Sequence, residues 1–117
     1  YLYEPNASLL KASAFRSLSY IYNIEKLHTN SHLYTSDEAL PYFPGRMFRI
    51  DSWCGFGKHE VKELLDGIRK ANLTIRNFPA TVAELRKRLK LGEGGETYLF
   101  ATTLNDGRKI LLRCSKT

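Results

Sequence analysis

Apolar and polar positions recur along the chain in two periods, and the switches between them mark out its elements. Phe48, Ile50 and Ser52 alternate with Arg49, Asp51 and Trp53, which predicts a strand with one buried face. Val61, Leu64, Leu65 and Ile68 then take the i, i+3, i+4, i+7 spacing of a helical stripe, leaving Lys58, Lys62, Arg69 and Lys70 mostly off it. Leu73-Thr74-Ile75-Arg76 reads as a second short strand. Thr81 and Glu84 have the spacing of a capping box, so a second helix is expected from there, with Val82, Leu85 and Leu89 as its stripe and Gly92 as its stop. Residues 97–104 and 109–114 are β-rich and joined by Asn105-Asp106-Gly107, which tolerates the positive φ angles of a hairpin turn. From Met47 the order is strand, helix, strand, helix, strand, strand, which indicates a small α+β or α/β sheet with helices packed on it.

Upstream the pattern is weaker. Residues 1–5 read as a short extended piece. Asn6 then caps an expected helix whose positions Leu10, Ala14, Leu18 and Tyr22 share one face. Residues 25–46 are less regular, with Leu33-Tyr34-Thr35 as a candidate strand and Pro41, Pro44 and Gly45 enforcing turns. The expected division is an N-terminal helix and connector over residues 1–46 and an α/β module over residues 47–117.

Composition narrows the class. A length of 117 residues suits one modest domain, and a start at Tyr1 in place of methionine reads as a fragment or a processed chain. Hydrophobic residues form 43% and aromatic residues 12%, enough to build a core. No apolar run approaches the roughly 20 residues needed to span a bilayer, and the N-terminus lacks the order of a secretory signal. Cys54 and Cys114 are too few for a disulfide framework, so two reduced, buried thiols in a cytoplasmic protein are expected. Asn6-Ala7-Ser8 and Asn72-Leu73-Thr74 fit the glycosylation pattern but carry no weight without a secretory route.

The net charge of +6 is concentrated: residues 58–90 hold nine basic and four acidic side chains, and therefore +5 of it. Such a segment is either a solvated helix face or a footprint for a polyanion, with nucleic acid first. No catalytic set accompanies it. His28, His32 and His59 are dispersed and lack metal-ligand spacing, and Gly92-Glu93-Gly94-Gly95 lacks the G-K-[S/T] ending of a phosphate loop. No strand leads into a G-x-G-x-x-G turn that would cradle a dinucleotide or adenosine cofactor. Lys and Arg on adjacent helices, with Arg76 between them, would neutralise phosphates of a folded RNA read by shape. The candidate phosphate contacts are Lys62, Arg69, Lys70, Arg76, Arg86, Lys87 and Arg88, and charge reversal at Arg86 and Lys87 is expected to weaken binding without unfolding the domain.

Tyr1-Leu2-Tyr3-Glu4-Pro5-Asn6, residues 30–37 (NSHLYTSD), Arg76-Asn77-Phe78-Pro79 and Glu84-Leu85-Arg86-Lys87 together resemble the C-terminal part of a bacterial methyltransferase family that carries a THUMP-like domain. The resemblance covers nearly the whole chain. It implies an α+β fold, with a helix-containing ferredoxin-like segment followed by the THUMP-like module. It also implies an upstream Rossmann-type, class I domain that uses S-adenosylmethionine. THUMP domains are associated with RNA-modifying enzymes, chiefly those acting on tRNA. Without the cofactor-binding domain, the chain alone is expected to have no methyltransferase activity. It would bind structured RNA such as tRNA, or alternatively dock on the catalytic domain or a second subunit through Tyr34, Tyr42, Phe43 and Met47.

Overall fold

In the computed structural model, residues 1–5, 25–28, 33–37 and 45–117 are described; the helix expected after Asn6 lies outside them. Seven strands form one sheet: β1 (Leu2–Pro5), β2 (Glu25–Lys26), β3 (Tyr34–Thr35), β4 (Gly45–Cys54), β5 (Asn72–Arg76), β6 (Thr97–Thr103) and β7 (Lys109–Lys116). Their order is β2-β3-β1-β4-β7-β6-β5, antiparallel except where β5 joins β6 in parallel. Two helices, α1 (Lys58–Leu64) and α2 (Val82–Leu89), complete an α+β architecture among the described residues.

Alternation along the strands sorts side chains onto two faces. Leu99 and Ala101 of β6 and Leu111 of β7 pack with Leu64, Leu85 and Leu91 on the helical side. Phe100, Ile110, Leu112 and Cys114 point the other way and meet Leu2, Leu33 and Phe48. Phe48 is central there, its ring 5.0 Å from both Tyr98 and Phe100. The register of β4 against β7 shifts between Ile50 and Ser52, so Ile50 serves one cluster and Cys54 the other.

The sheet is curled, and one ion pair shows how far. β1 and β5 are four strand spacings apart, roughly 19 Å if the sheet were flat. Yet Nε of Arg76 on β5 lies 3.0 Å from the Glu4 carboxylate on β1, which also takes Arg46 at 2.6 Å. The face carrying Phe48 and Phe100 is therefore concave, with Glu4 tying its two sides together.

Local signals act largely as expected. Thr81 Oγ1 accepts the Glu84 N–H at 3.1 Å, and the Asn105–Gly107 turn closes with the Gly107 N–H on the Leu104 carbonyl at 2.9 Å and φ +87° at Gly107. The Glu84 carboxylate takes the Thr81 hydroxyl and thus tightens the cap through the side chain. Two expectations need correction. α1 stops at Leu64, so Ile68 packs from the turn beyond the helix. α2 is ended by Lys90, the residue in the left-handed conformation (φ 57°, ψ 45°), and not by Gly92. Gly92 instead bridges to Lys70, donating its N–H to the Arg69 carbonyl and accepting the Ala71 N–H.

Cys54 and Cys114 are free thiols, Cys114 buried as expected and Cys54 only half-buried. Burial, helped by the Asp51 charge, pushes the Cys114 thiol from its ordinary 9.0 up to about 12. Unfolded chains release this proton above about pH 9 while the folded chain keeps it until about pH 12. The neutral thiol therefore leaves stability unchanged below pH 9 and lowers it by about 1.4 kcal/mol for each pH unit from there to about pH 12. Urea unfolding of wild type and Cys114→Ala at pH 8, 9 and 10 checks this: the variant, though less stable at pH 8, should lose less between pH 9 and 10. Parallel losses would show that Cys114 ionisation does not drive the alkaline decline.

Candidate functional site

The basic segment folds into the helical side of the sheet. α1 enters through Gly57, whose N–H is held by Glu60 at 3.3 Å. Its Lys58 and Lys62, four residues apart, share one face, directed toward α2. There Lys58, Lys62 and Arg88 line a groove of about 510 Å³ with Phe56, Val61, Leu65 and Leu89, and Asp66 is the acidic residue in its wall. The Arg88 guanidinium sits 5.6 Å from the centre of the Phe56 ring, which in turn packs against Phe78 at 5.0 Å. This stacking directs a charged, planar donor group over an aromatic surface.

The seven predicted contacts do not form a single patch. Lys62 and Arg88 meet across the groove, joined by Lys58, which the sequence reading did not select although its i, i+4 relation to Lys62 was visible. Lys87 lies by a shallower depression of about 700 Å³ with Lys90, Val82 and Leu91. Arg69 and Lys70 are exposed in the connection into β5, where Lys70 lays its aliphatic stem along Gly95.

The remaining two are occupied internally. Arg76 pairs with Glu4 and donates to the Ile75 carbonyl at 2.9 Å. Arg86 is half-buried: its Nη1 donates to the Ala71 carbonyl at 3.1 Å and to the Gly92 carbonyl, while its buried Nε has no partner. Arg76 ties β5 to β1 and Arg86 ties the start of β5 to the segment after α2, so reversal at Arg86 is expected to destabilise the fold as well as to remove a charge.

The alternative docking set is divided as well. Tyr34 is only 1% exposed and belongs to the core, which raises its hydroxyl pKa by desolvation. Met47 is half-buried, and Tyr42 and Phe43 lie outside the described residues. Among the described residues no group of His, Cys, Asp and Glu is placed to hold a metal, and no helix is long and apolar enough to cross a membrane.

Residues 45–116, from the first residue of β4 to the last of β7, match the sequence family described as THUMP domain-like. The chain belongs to that family. Residues 1–44 match a ferredoxin-like domain, so the THUMP-like module is joined to a second recognisable segment through the β1–β4 pairing. Among solved structures, this THUMP-like chain is similar to a crystal structure from Porphyromonas gingivalis W83 described as a "putative methyltransferase", at 43% identity and a TM-score of 0.88. The match covers 99% of this chain and 29% of the Porphyromonas chain. No curated protein matches.

Proposed function

We propose that this chain is a non-catalytic module that holds a structured RNA, such as tRNA, for a methyltransferase domain in the same longer polypeptide. The observation that carries this reading is the groove between α1 and α2, where Lys58, Lys62 and Arg88 converge beside an aromatic ring. Cations aimed from two helices at one groove suit a phosphate backbone, because each phosphate contact releases condensed counterions and adds affinity without reading a base. Exposed Arg69, Lys70 and Lys87 extend the basic surface beyond the groove. The THUMP-like family and the methyltransferase description of the Porphyromonas relative support the setting. S-adenosylmethionine would belong to that other domain, where it would supply the methyl group.

The test is a fluorescence-anisotropy titration of labelled bulk tRNA with the 117-residue chain at two salt concentrations. Affinity should fall steeply with salt. Lys62→Glu with Arg88→Glu should weaken binding more than about tenfold and flatten the logarithmic salt slope by about 2, roughly 1 for each lost phosphate contact. Binding that ignores salt, or that is unchanged in the folded double variant, would refute the groove as the RNA site.

A further inference from the structure

The hairpin between β6 and β7 turns on Asp106-Gly107, a pair that suits the turn and is chemically vulnerable. Glycine accepts the φ of +87° there. Lacking a Cβ, it also leaves its backbone nitrogen open to the carboxyl group of the residue before it. When that nitrogen attacks Cγ of an aspartic acid, an N–C bond forms, a C–O bond breaks and one water leaves, closing a five-membered succinimide. Water then adds to either carbonyl of the ring. One opening restores aspartate, and the other gives isoaspartate, whose backbone runs through the side-chain carbon.

The structure opposes the first step at both reacting groups. The Gly107 N–H is bonded to the Leu104 carbonyl at 2.9 Å. Both oxygens of the Asp106 carboxylate are held by Arg108: Oδ1 accepts the backbone N–H two residues on, at 3.0 Å, and Oδ2 accepts the guanidinium Nε–H at 2.7 Å. Attack requires the neutral acid, because a carboxylate has no hydroxyl to leave as water. The Arg108 backbone N–H, and after it the Arg108 side chain, hold the Asp106 carboxyl below its ordinary 3.8. The turn is also fixed from outside, since the Asn105 N–H bonds the Leu27 carbonyl at 3.1 Å and Leu104 packs against the cluster of Phe48 and Phe100. Asp106, Gly107 and Arg108 are all exposed, so water reaches the site throughout.

We propose that Asp106 is a site of isoaspartate formation and that Arg108 is the positioning residue that slows it in the folded chain, by holding the carboxylate on its own guanidinium. The co-reactant is water, lost in closing the ring and regained in opening it. This chemistry is independent of RNA and of the groove between α1 and α2.

The test keeps the 117-residue chain for weeks at neutral pH and follows isoaspartate at position 106 by electron-transfer fragmentation of the proteolytic peptide that carries it. Folded Arg108→Gln should accumulate it at least about threefold faster than wild type, the scale of one net surface hydrogen bond. Arg108→Lys, which restores the cation without the Nε–H, should lie between them. In concentrated urea all three chains should react alike and fastest, because the turn is gone. Should Arg108→Gln fail to fold, Arg108→Lys against wild type decides. The proposal is overturned if the folded variants react no faster than wild type, if Arg108→Lys matches Arg108→Gln, if the same ratios persist in urea and so reflect neighbouring sequence alone, or if no isoaspartate forms even in the unfolded chain.

Discussion

Gly45→Ala should destabilise the chain by about 3 kcal/mol, a large share of the 5–15 kcal/mol typical of a folded domain. A Cβ at Gly45 would stand 2.2 Å from the Glu4 carbonyl oxygen and 2.8 Å from the Pro5 Cα. Both obstacles are backbone, held by the pairing of Pro5 with Gly45 and Glu4 with Arg46, so neither can swing aside as a flexible side chain would. Relief requires β1 to move off β4, which exposes Leu2 and Tyr3, both fully buried, and withdraws Glu4 from Arg46 and Arg76. Loss of Leu2 burial alone is worth about 1.5–3 kcal/mol. Urea denaturation checks the size of the effect. Gly55→Ala is the control, because its Cβ would meet only the Glu60 carboxylate, at 3.1 Å. Equal midpoints for the two variants would mean that β1 accommodates the methyl group and that the close approach at Gly45 does not matter to stability.

That prediction depends on contacts between distant parts of the chain, and the same distinction separates what the sequence disclosed from what it did not. The strand at Phe48 and Ile50, the Thr81 cap and the Asn105–Gly107 turn were readable because each is decided within a few residues by side-chain alternation, a hydroxyl acceptor or a permissive φ angle. The end of α2 was misread because tertiary bonds decide it: Gly92 is drawn into a bridge with Lys70, leaving Lys90 to adopt the left-handed conformation. The curl was hidden for a similar reason. Nothing local in Glu4 announces a partner 72 positions away at Arg76.

The candidate site divides along the same line. Lys58 and Lys62 share a face by helical spacing alone, but their meeting with Arg88 depends on how β5 carries the chain from α1 to α2. Counting charge located the basic segment without showing which side chains are free to bind. Arg86 and Arg88 sit one residue apart on either side of Lys87, yet one faces the backbone of the β5 entrance and the other faces an aromatic ring. A two-residue offset turns a helical side chain by about 200°, enough to separate a structural arginine from a candidate ligand-binding one.

Arg86→Glu is therefore expected to cost about 3 kcal/mol, while Lys87→Glu, on the exposed neighbour, should stay within about 0.5 kcal/mol of wild type. Nη1 of Arg86 joins the Ala71 and Gly92 carbonyls, fastening the start of β5 to the segment that follows α2. Removing the donor takes a charge-assisted bond from each carbonyl; exposed Gly92 still accepts the Ala71 N–H, but Ala71 is fully buried, and a buried acceptor that loses its partner costs about 1–3 kcal/mol. A carboxylate in the same place adds repulsion from two carbonyl oxygens. Arg86→Lys keeps the charge but only a single point donor, so it should lie between the two. Thermal or urea unfolding of the three variants provides the ranking, and tRNA anisotropy on those that remain folded separates stability from binding. Lys87→Glu should then weaken RNA binding modestly with the fold intact. If Arg86→Glu is as stable as Lys87→Glu, the carbonyl contacts contribute little to the fold, and Arg86 returns to the set of side chains available for phosphate.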